Sequence, residues 1–269
     1  MIDPHEDQAA GLRRLFRRAP PVVVALYAAG RNPAQIALRA AHRIAGHRER
    51  VLMLDEVRGE RSLAHLVGEQ PGSDLLGVLG AGVQPRDLVQ ALPGLLGRVP
   101  VAAAALALPL LDGERRETLL QALRALMRPA SFILVHSDYE AAGDPSPFIF
   151  AAPRRLVVAE ASHRGATEAY QVIKRLAAAG AGSIHVAVTG ARGRADAKAF
   201  FTSLDGLVAH HVGVPLAWLG EVERDDVGGG LNAEFTEASP RDAEAAFLRR
   251  LMSCGLRHPR AAAALGSRT

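Results

Sequence analysis

Short apolar runs alternate with longer stretches of helical periodicity over most of the chain. Val22 to Leu26, Arg50 to Leu54, Phe132 to Val135, Arg155 to Ala159, Ile184 to Thr189 and Pro215 to Leu219 read as strands. They are nearly continuous apolar runs, the pattern of strands covered on both faces. Between them Pro33 to Ala45, Gly113 to Met127, Thr167 to Ala179 and Arg194 to Ala209 read as helices. Alternation of this length predicts an α/β fold, a doubly wound, mostly parallel sheet flanked by helices. Ala102 to Ala105 reads as core filler. After Gly220 the alternation stops. Gly228-Gly229-Gly230 reads as a flexible loop, and Asp242 to Met252 as a short amphipathic helix with Phe247, Leu248, Leu251 and Met252 apolar. The Ala/Arg-rich remainder is expected to fray.

Ahead of the first strand stands a segment with helix signals of its own. Asp3 is placed to cap it, Pro4 suits the first helical position, and Glu6 completes a capping-box spacing. Arg13, Arg14, Arg17 and Arg18 fall near its negative end, and Pro20-Pro21 stops it. At helical spacing Gln8, Leu12 and Leu15 share one face, with Ala9 and Phe16 beside it. That pattern serves either an arm packed on its own domain or a surface for a partner. The expected organisation is a helical arm over 1–20, an α/β domain with a C-terminal helix over 21–252, and a tail over 253–269.

Composition narrows the function classes. The chain has 269 residues, 49% of them hydrophobic, which is ample for a core and argues against disorder. The net charge is only +4, and Lys174 and Lys198 are the only lysines among the basic residues. Aromatic residues are sparse and no base-reading motif occurs, so no direct nucleic-acid partner is expected. A single cysteine, Cys254, leaves no internal disulfide and no thiolate zinc cluster. No signal peptide is read at the start, and the apolar run from Val99 to Leu111 is short and broken by Pro100 and Pro109. A cytoplasmic protein is expected.

In such a sheet ligands sit beyond the carboxyl ends of the strands, first at the loop after strand one. Here that loop is Tyr27-Ala28-Ala29-Gly30-Arg31-Asn32-Pro33-Ala34. A phosphate cradle needs several glycines, a Lys for the β- and γ-phosphates and a Ser or Thr for magnesium. This loop has one glycine and none of the other three residue types, and Pro33 removes an N–H. Arg31 still offers a cation there. Elsewhere the signals are bland. Asp55-Glu56 reads as an exposed strand-end pair, and His210-His211 as a helix end without partner ligands. His42 and His47 lie on different faces, Ser137 lacks a glycine elbow, and Gly190 to Arg194 reads as a solvated turn.

Three stretches carry a resemblance. Asp7, Gln8, Ala9, Gly11, Leu12 and Arg13 match a DQAxGLR-type segment. Arg50 to Asp55 looks like a second strand ending in an acidic switch motif. Thr167-Glu168-Ala169-Tyr170-Gln171-Val172-Ile173-Lys174 follows a helix usually read T-D-A-Y-x-x-I-K. Together they resemble the MinD/ParA group of deviant-Walker ATPases, P-loop NTPases by fold, and within it the flagellar-number regulators called FlhG or FleN.

Against that pattern, Pro33 and Ala34 stand where the phosphate-binding Lys and magnesium-binding Thr belong, and Ala28 where the signature Lys belongs. Asp55 is kept, but Val57 replaces the second Asp of its motif. His136-Ser137-Asp138 replaces the D-T-x-x-G switch, and Thr189 the base-reading Asn. The expectation is therefore a pseudo-ATPase rather than an enzyme, with Gly30, Arg31, Asn32, Pro33, Ala34 and Asp55 as a vestigial nucleotide site and no cofactor, ATP with magnesium being doubtful.

The resemblance implies a regulator of flagellar number or placement. Its N-terminal segment (Asp7, Gln8, Ala9, Leu12, Arg13) would dock on FlhF, a GTPase of the signal-recognition-particle type, and stimulate GTP hydrolysis. The Gln8 amide is suited to orienting water in phosphoryl transfer. A FleQ-like transcription activator or flagellar switch proteins are further implied partners. The resemblance also offers Phe247, Leu248, Leu251 and Met252 for peripheral membrane contact at the inner membrane or cell pole, although packing on the domain explains the same stripe. Two rival readings are a residual ATP-dependent MinD-like switch and a BcsQ-like partner of a polysaccharide-secretion machine.

Overall fold

The computed structural model describes residues 20–46, 49–70, 72–80, 82–138, 145–181, 183–233 and 240–254. The segment from Asp7 to Arg13 and the tail beyond Cys254 lie outside them. Seven strands form one sheet: β1 (Val22–Ala29), β2 (Val51–Asp55), β3 (Gly97–Pro100), β4 (Phe132–Ser137), β5 (Arg154–Glu160), β6 (Ile184–Thr189) and β7 (Leu216–Glu221). Their order is β3-β2-β4-β1-β5-β6-β7, and every neighbouring pair is parallel. This is the doubly wound sheet that the alternation predicts.

Sequence dictates the layering through β1. All eight of its residues are buried, and alternate ones enter different cores. Val23, Ala25, Tyr27 and Ala29 face a layer that includes α4 (Gly113–Met127), α6 (His163–Ala178) and the long helix α7 (Arg194–His211). Val22, Val24, Leu26 and Ala28 face α1 (Pro33–Ala45), whose Ile36, Ala37, Ala40, Ala41 and Ile44 recur at helical spacing. Shorter helical segments are α2 (Leu63–Leu66), α3 (Ala102–Ala107), α5 (Pro147–Ala151) and α8 (Val227–Ala233), and α9 (Pro240–Ser253) closes the described fold.

The structure adds one strand, refines one expectation and corrects another. β3 is an edge strand that the apolar pattern does not announce, because its four residues include Arg98 and end on Pro100. Edge position tolerates the proline. Gly97 allows the strand's close approach to the preceding segment: φ is 140°, and a Cβ would stand 2.6 Å from the Gln90 carbonyl oxygen. The stretch Ala102 to Ala105, expected as core filler, lies in a helix, α3, with Ala104 and Ala105 buried in the larger core. Gly228-Gly229-Gly230 is helical within α8, where the Asp226 carboxylate accepts the Gly229 N–H at 2.8 Å. Gly228 packs beside Ile44 of α1, where the two helices meet.

The apolar stripe of α9 packs on the domain. Phe247 and Leu251 are fully buried in the larger core, with Leu248 and Met252 partly buried against it. The Arg250 guanidinium donates to the Ala151 carbonyl at 3.2 Å, and Arg116 donates to that of Met252 at 3.0 Å. In this arrangement the four residues proposed for membrane contact are core or core-facing, as the packing alternative for the same stripe expects. Among the described residues no helix is long and apolar enough to cross a membrane.

Candidate functional site at the carboxyl ends of the strands

The chain reverses its direction of travel across the sheet around β1, whose neighbours are β4 and β5. A crevice is expected at that point, at the strands' carboxyl ends. The loop after β1 enters α1 with Asn32 as cap and Pro33 in the first turn, and no side chain caps the helix. Arg31 and Asn32 are exposed, whereas Gly30 and Ala34 are buried.

The loop's backbone donors are already engaged. The Gly30 N–H donates to Oε2 of Glu168 at 2.7 Å, and the Arg31 N–H to Oε2 of Glu160 at 3.1 Å. Both carboxylates are held from behind. Arg164 donates to Oε1 of Glu168 at 2.7 Å, and the Ser162 hydroxyl donates to Glu160 at 3.2 Å. Gly30 has φ 148°, and a Cβ there would fall 2.7 Å from Cβ of Glu160 and 2.8 Å from Ile36. Glycine is thus required so that the loop can lie against Glu160. These carboxylates stand where a helix N-terminus would otherwise meet an external anion.

Asp55 does not join that loop, because β4 lies between β1 and β2. Its Oδ1 accepts from Nδ1–H of His136 at 2.9 Å and from the Val57 N–H at 3.2 Å. Its Oδ2 accepts from the Leu63 N–H at 3.1 Å. Both side chains are almost completely buried. Asp55 therefore ties down the turn leading to α2. The exposed-pair reading of Asp55-Glu56 is corrected: an apolar run that ends in acid hides the acid when a neighbouring strand supplies a donor.

Glu56 differs from Asp55 in its partners. It receives hydrogen bonds from the Ser146 and Ser137 hydroxyls. Burial pushes its carboxyl from 4.5 up to about 7, with the serines and the neighbouring His136 opposing the rise. Tyr27, hydrogen-bonded to Ser137, is pushed upward by burial and by the Glu56 charge. Glu56 lines an open cleft of about 400 Å³, together with Arg58, Ser137, Asp138 and Ser146 on the polar side and Ala102, Ala105 and Leu106 on the apolar side. Asp138 is paired with Arg61 at 2.9 Å.

On the far side of β1 the Thr189 hydroxyl donates to Glu223, and Arg39 lies 3.3 Å from Glu223 and 3.4 Å from Thr189. His210 and His211 meet edge-on at the end of α7. Gly190 to Arg194 forms the turn into α7, with Arg194 paired to Asp225. Among the described residues no cluster of His, Cys, Asp and Glu could hold a metal ion. Of the residues read from sequence, Gly30 to Ala34 form one loop and Asp55 belongs to another cluster. Glu56, Glu160, Glu168 and Arg39 were not singled out as site residues. The available signal was an acid closing an apolar strand run, at Asp55-Glu56 and again at Glu160.

No protein-family model matches the chain, and no curated protein matches it. Solved structures do. The MinC:MinD cell division complex of Aquifex aeolicus matches at 20% identity over 86% of this chain and 96% of that one, with a TM-score of 0.48. A ParA family ATPase from Chlorobium tepidum matches at 15% identity over 87% and 99%, TM-score 0.47. An ATP complex of a Cyanothece McdA variant matches at 18% identity over 89% and 97%, TM-score 0.44. These matches correct the expectation of a non-enzyme, since the neighbours include ATPases and an ATP-bound form. That expectation rested on missing loop side chains, yet the exposed Arg31 still offers a cation at the loop. By strand order and parallel pairing, the chain has a doubly wound, parallel α/β fold.

Proposed function

We propose that this chain is an FlhG-like regulator of flagellar number or placement. In this reading its MinD/ParA-like domain carries an N-terminal segment that binds an SRP-type GTPase, FlhF, and stimulates GTP hydrolysis. The observation that carries the reading is the run Asp7-Gln8-Ala9 to Leu12-Arg13 directly ahead of β1 of this sheet. A second motif supports it. Thr167 to Lys174 lies within α6, and Glu168 of that motif bonds the loop after β1. Gln8 supplies an amide able to steady water or a transition-state charge in the partner's site, and such groups are worth orders of magnitude in phosphoryl transfer.

The domain is taken as a nucleotide-responsive body in the manner of the ATPases it resembles. An incoming phosphate would have to displace Glu160 and Glu168 from the N–H groups of Gly30 and Arg31. The test is GTP turnover by an FlhF-type GTPase with the intact chain and with Gln8→Ala. Stimulation by the intact chain and its loss, by tenfold or more, in the variant are expected. Equal stimulation by both removes Gln8, and no stimulation by either ends the reading.

A further inference from the structure

We propose that the cleft beyond β2 and β4 docks a partner protein through an arginine or lysine flanked by apolar residues, the cation reaching Glu56 and the apolar residues covering Leu106 and Leu110. The charge argument begins with Glu56. Its hydrogen-bond donors are the neutral hydroxyls of Ser137 and Ser146, and among the described residues no basic side chain forms an ion pair with it. Asp138, in the same cleft, is already neutralised by Arg61. Arg58 borders the cleft but is exposed. A largely desolvated carboxylate without a cation is unfavourable unless it takes a proton or gains a partner charge. The cleft is open, so that charge can come from outside.

The wall of the cleft specifies the rest of the occupant. Leu106 is 71% exposed on α3, and Leu110, in the short turn after α3, is 86% exposed. Leu106 lines the cleft and Leu110 follows it by four residues, and two large aliphatic side chains this exposed on and just after one helix mark a contact surface more than a solvent face. An arginine or lysine side chain combines the needed features, with an aliphatic stem against Ala102 and Ala105 and a cationic head toward Glu56. This docking does not depend on the GTPase reading, since it uses none of the N-terminal residues.

The probe is a synthetic amphipathic helix of about four turns, with leucines on one face and a central arginine, and a twin with glutamine at that position. Fluorescence anisotropy is read against the intact chain. The arginine peptide should bind at least about tenfold tighter than its twin. Glu56→Gln, which keeps shape and removes charge, should close that gap. Leu106→Asp with Leu110→Asp should weaken both peptides. Equal binding of the twins, no binding of either, or a gap unchanged in Glu56→Gln would overturn the proposal. So would displacement of the arginine peptide by one copied from residues 1–20, which would make the occupant the chain's own segment.

Discussion

The two ends of the crevice use carboxylates in opposite ways. At the loop after β1, Glu160 and Glu168 occupy backbone donors, and each is braced by a further hydrogen bond. Beyond β2, Glu56 accepts from the Ser137 and Ser146 hydroxyls and, among the described residues, makes no ion pair, at an open cleft that Arg58 borders. One region is satisfied within the chain and must be opened to bind anything. The other is unsatisfied in charge and open already. Burial alone does not separate them; what does is whether the donors around each acid are fixed N–H groups and a guanidinium or only neutral hydroxyls.

The largest expected effect lies at the hinge between the regions. Asp55→Ala removes the acceptor for His136 and for two backbone N–H groups, all in buried surroundings. Leaving buried donors unpaired costs about 1–3 kcal/mol each, so a loss of about 3–5 kcal/mol is expected in denaturant unfolding. A loss below about 1 kcal/mol would mean that the turn after β2 does not depend on Asp55.

Next comes the pH response of Glu56. Its carboxyl rises from 4.5 to about 7 on folding, so between those values the unfolded chain ionises while the folded chain keeps its proton. The folded state then binds more protons, and stability falls as pH rises through that window and levels above it. The full effect is about 3 kcal/mol at about 1.4 kcal/mol per unit. Glu56→Gln should flatten that part of the stability curve. An identical slope in the variant would assign the titration to another group.

Much of this architecture is legible from residue order, and the reasons for the exceptions are local. β1 announces itself because all eight residues are buried, so no polar position interrupts the run. β3 does not, since Arg98 and Pro100 belong to an edge whose partners are set by tertiary contact. Three successive glycines predict a loop from backbone entropy, but Asp226 and the approach of α1 hold them in α8. At the site, the loss of Lys and Thr after β1 is visible in the sequence, whereas its consequence is not. Glu168 lies 138 residues from Gly30, and only the pairing of β1 with β5 brings that carboxylate to the loop. The contrast between Asp55 and Glu56 is likewise hidden, because adjacent acids on one strand end meet different neighbours from β4 and α5.

A smaller stability effect sharpens the comparison from the other side. Glu168→Ala leaves the Gly30 N–H without its carboxylate, and a loss of about 1–2 kcal/mol is expected where solvent can partly replace it. The gain should appear in ligand affinity. Glu160→Ala keeps the Cβ against which Gly30 rests, so the double variant opens the loop without creating a clash.

Whether the loop after β1 is a site closed by its own acids is tested most directly by titrating magnesium-ATP into the intact chain and into the Glu160→Ala, Glu168→Ala double variant by calorimetry. The account predicts binding at least about tenfold tighter in the double variant, the scale on which removing two competing charges acts. Equal affinity in the two proteins, or weaker binding once the carboxylates are gone, would contradict it.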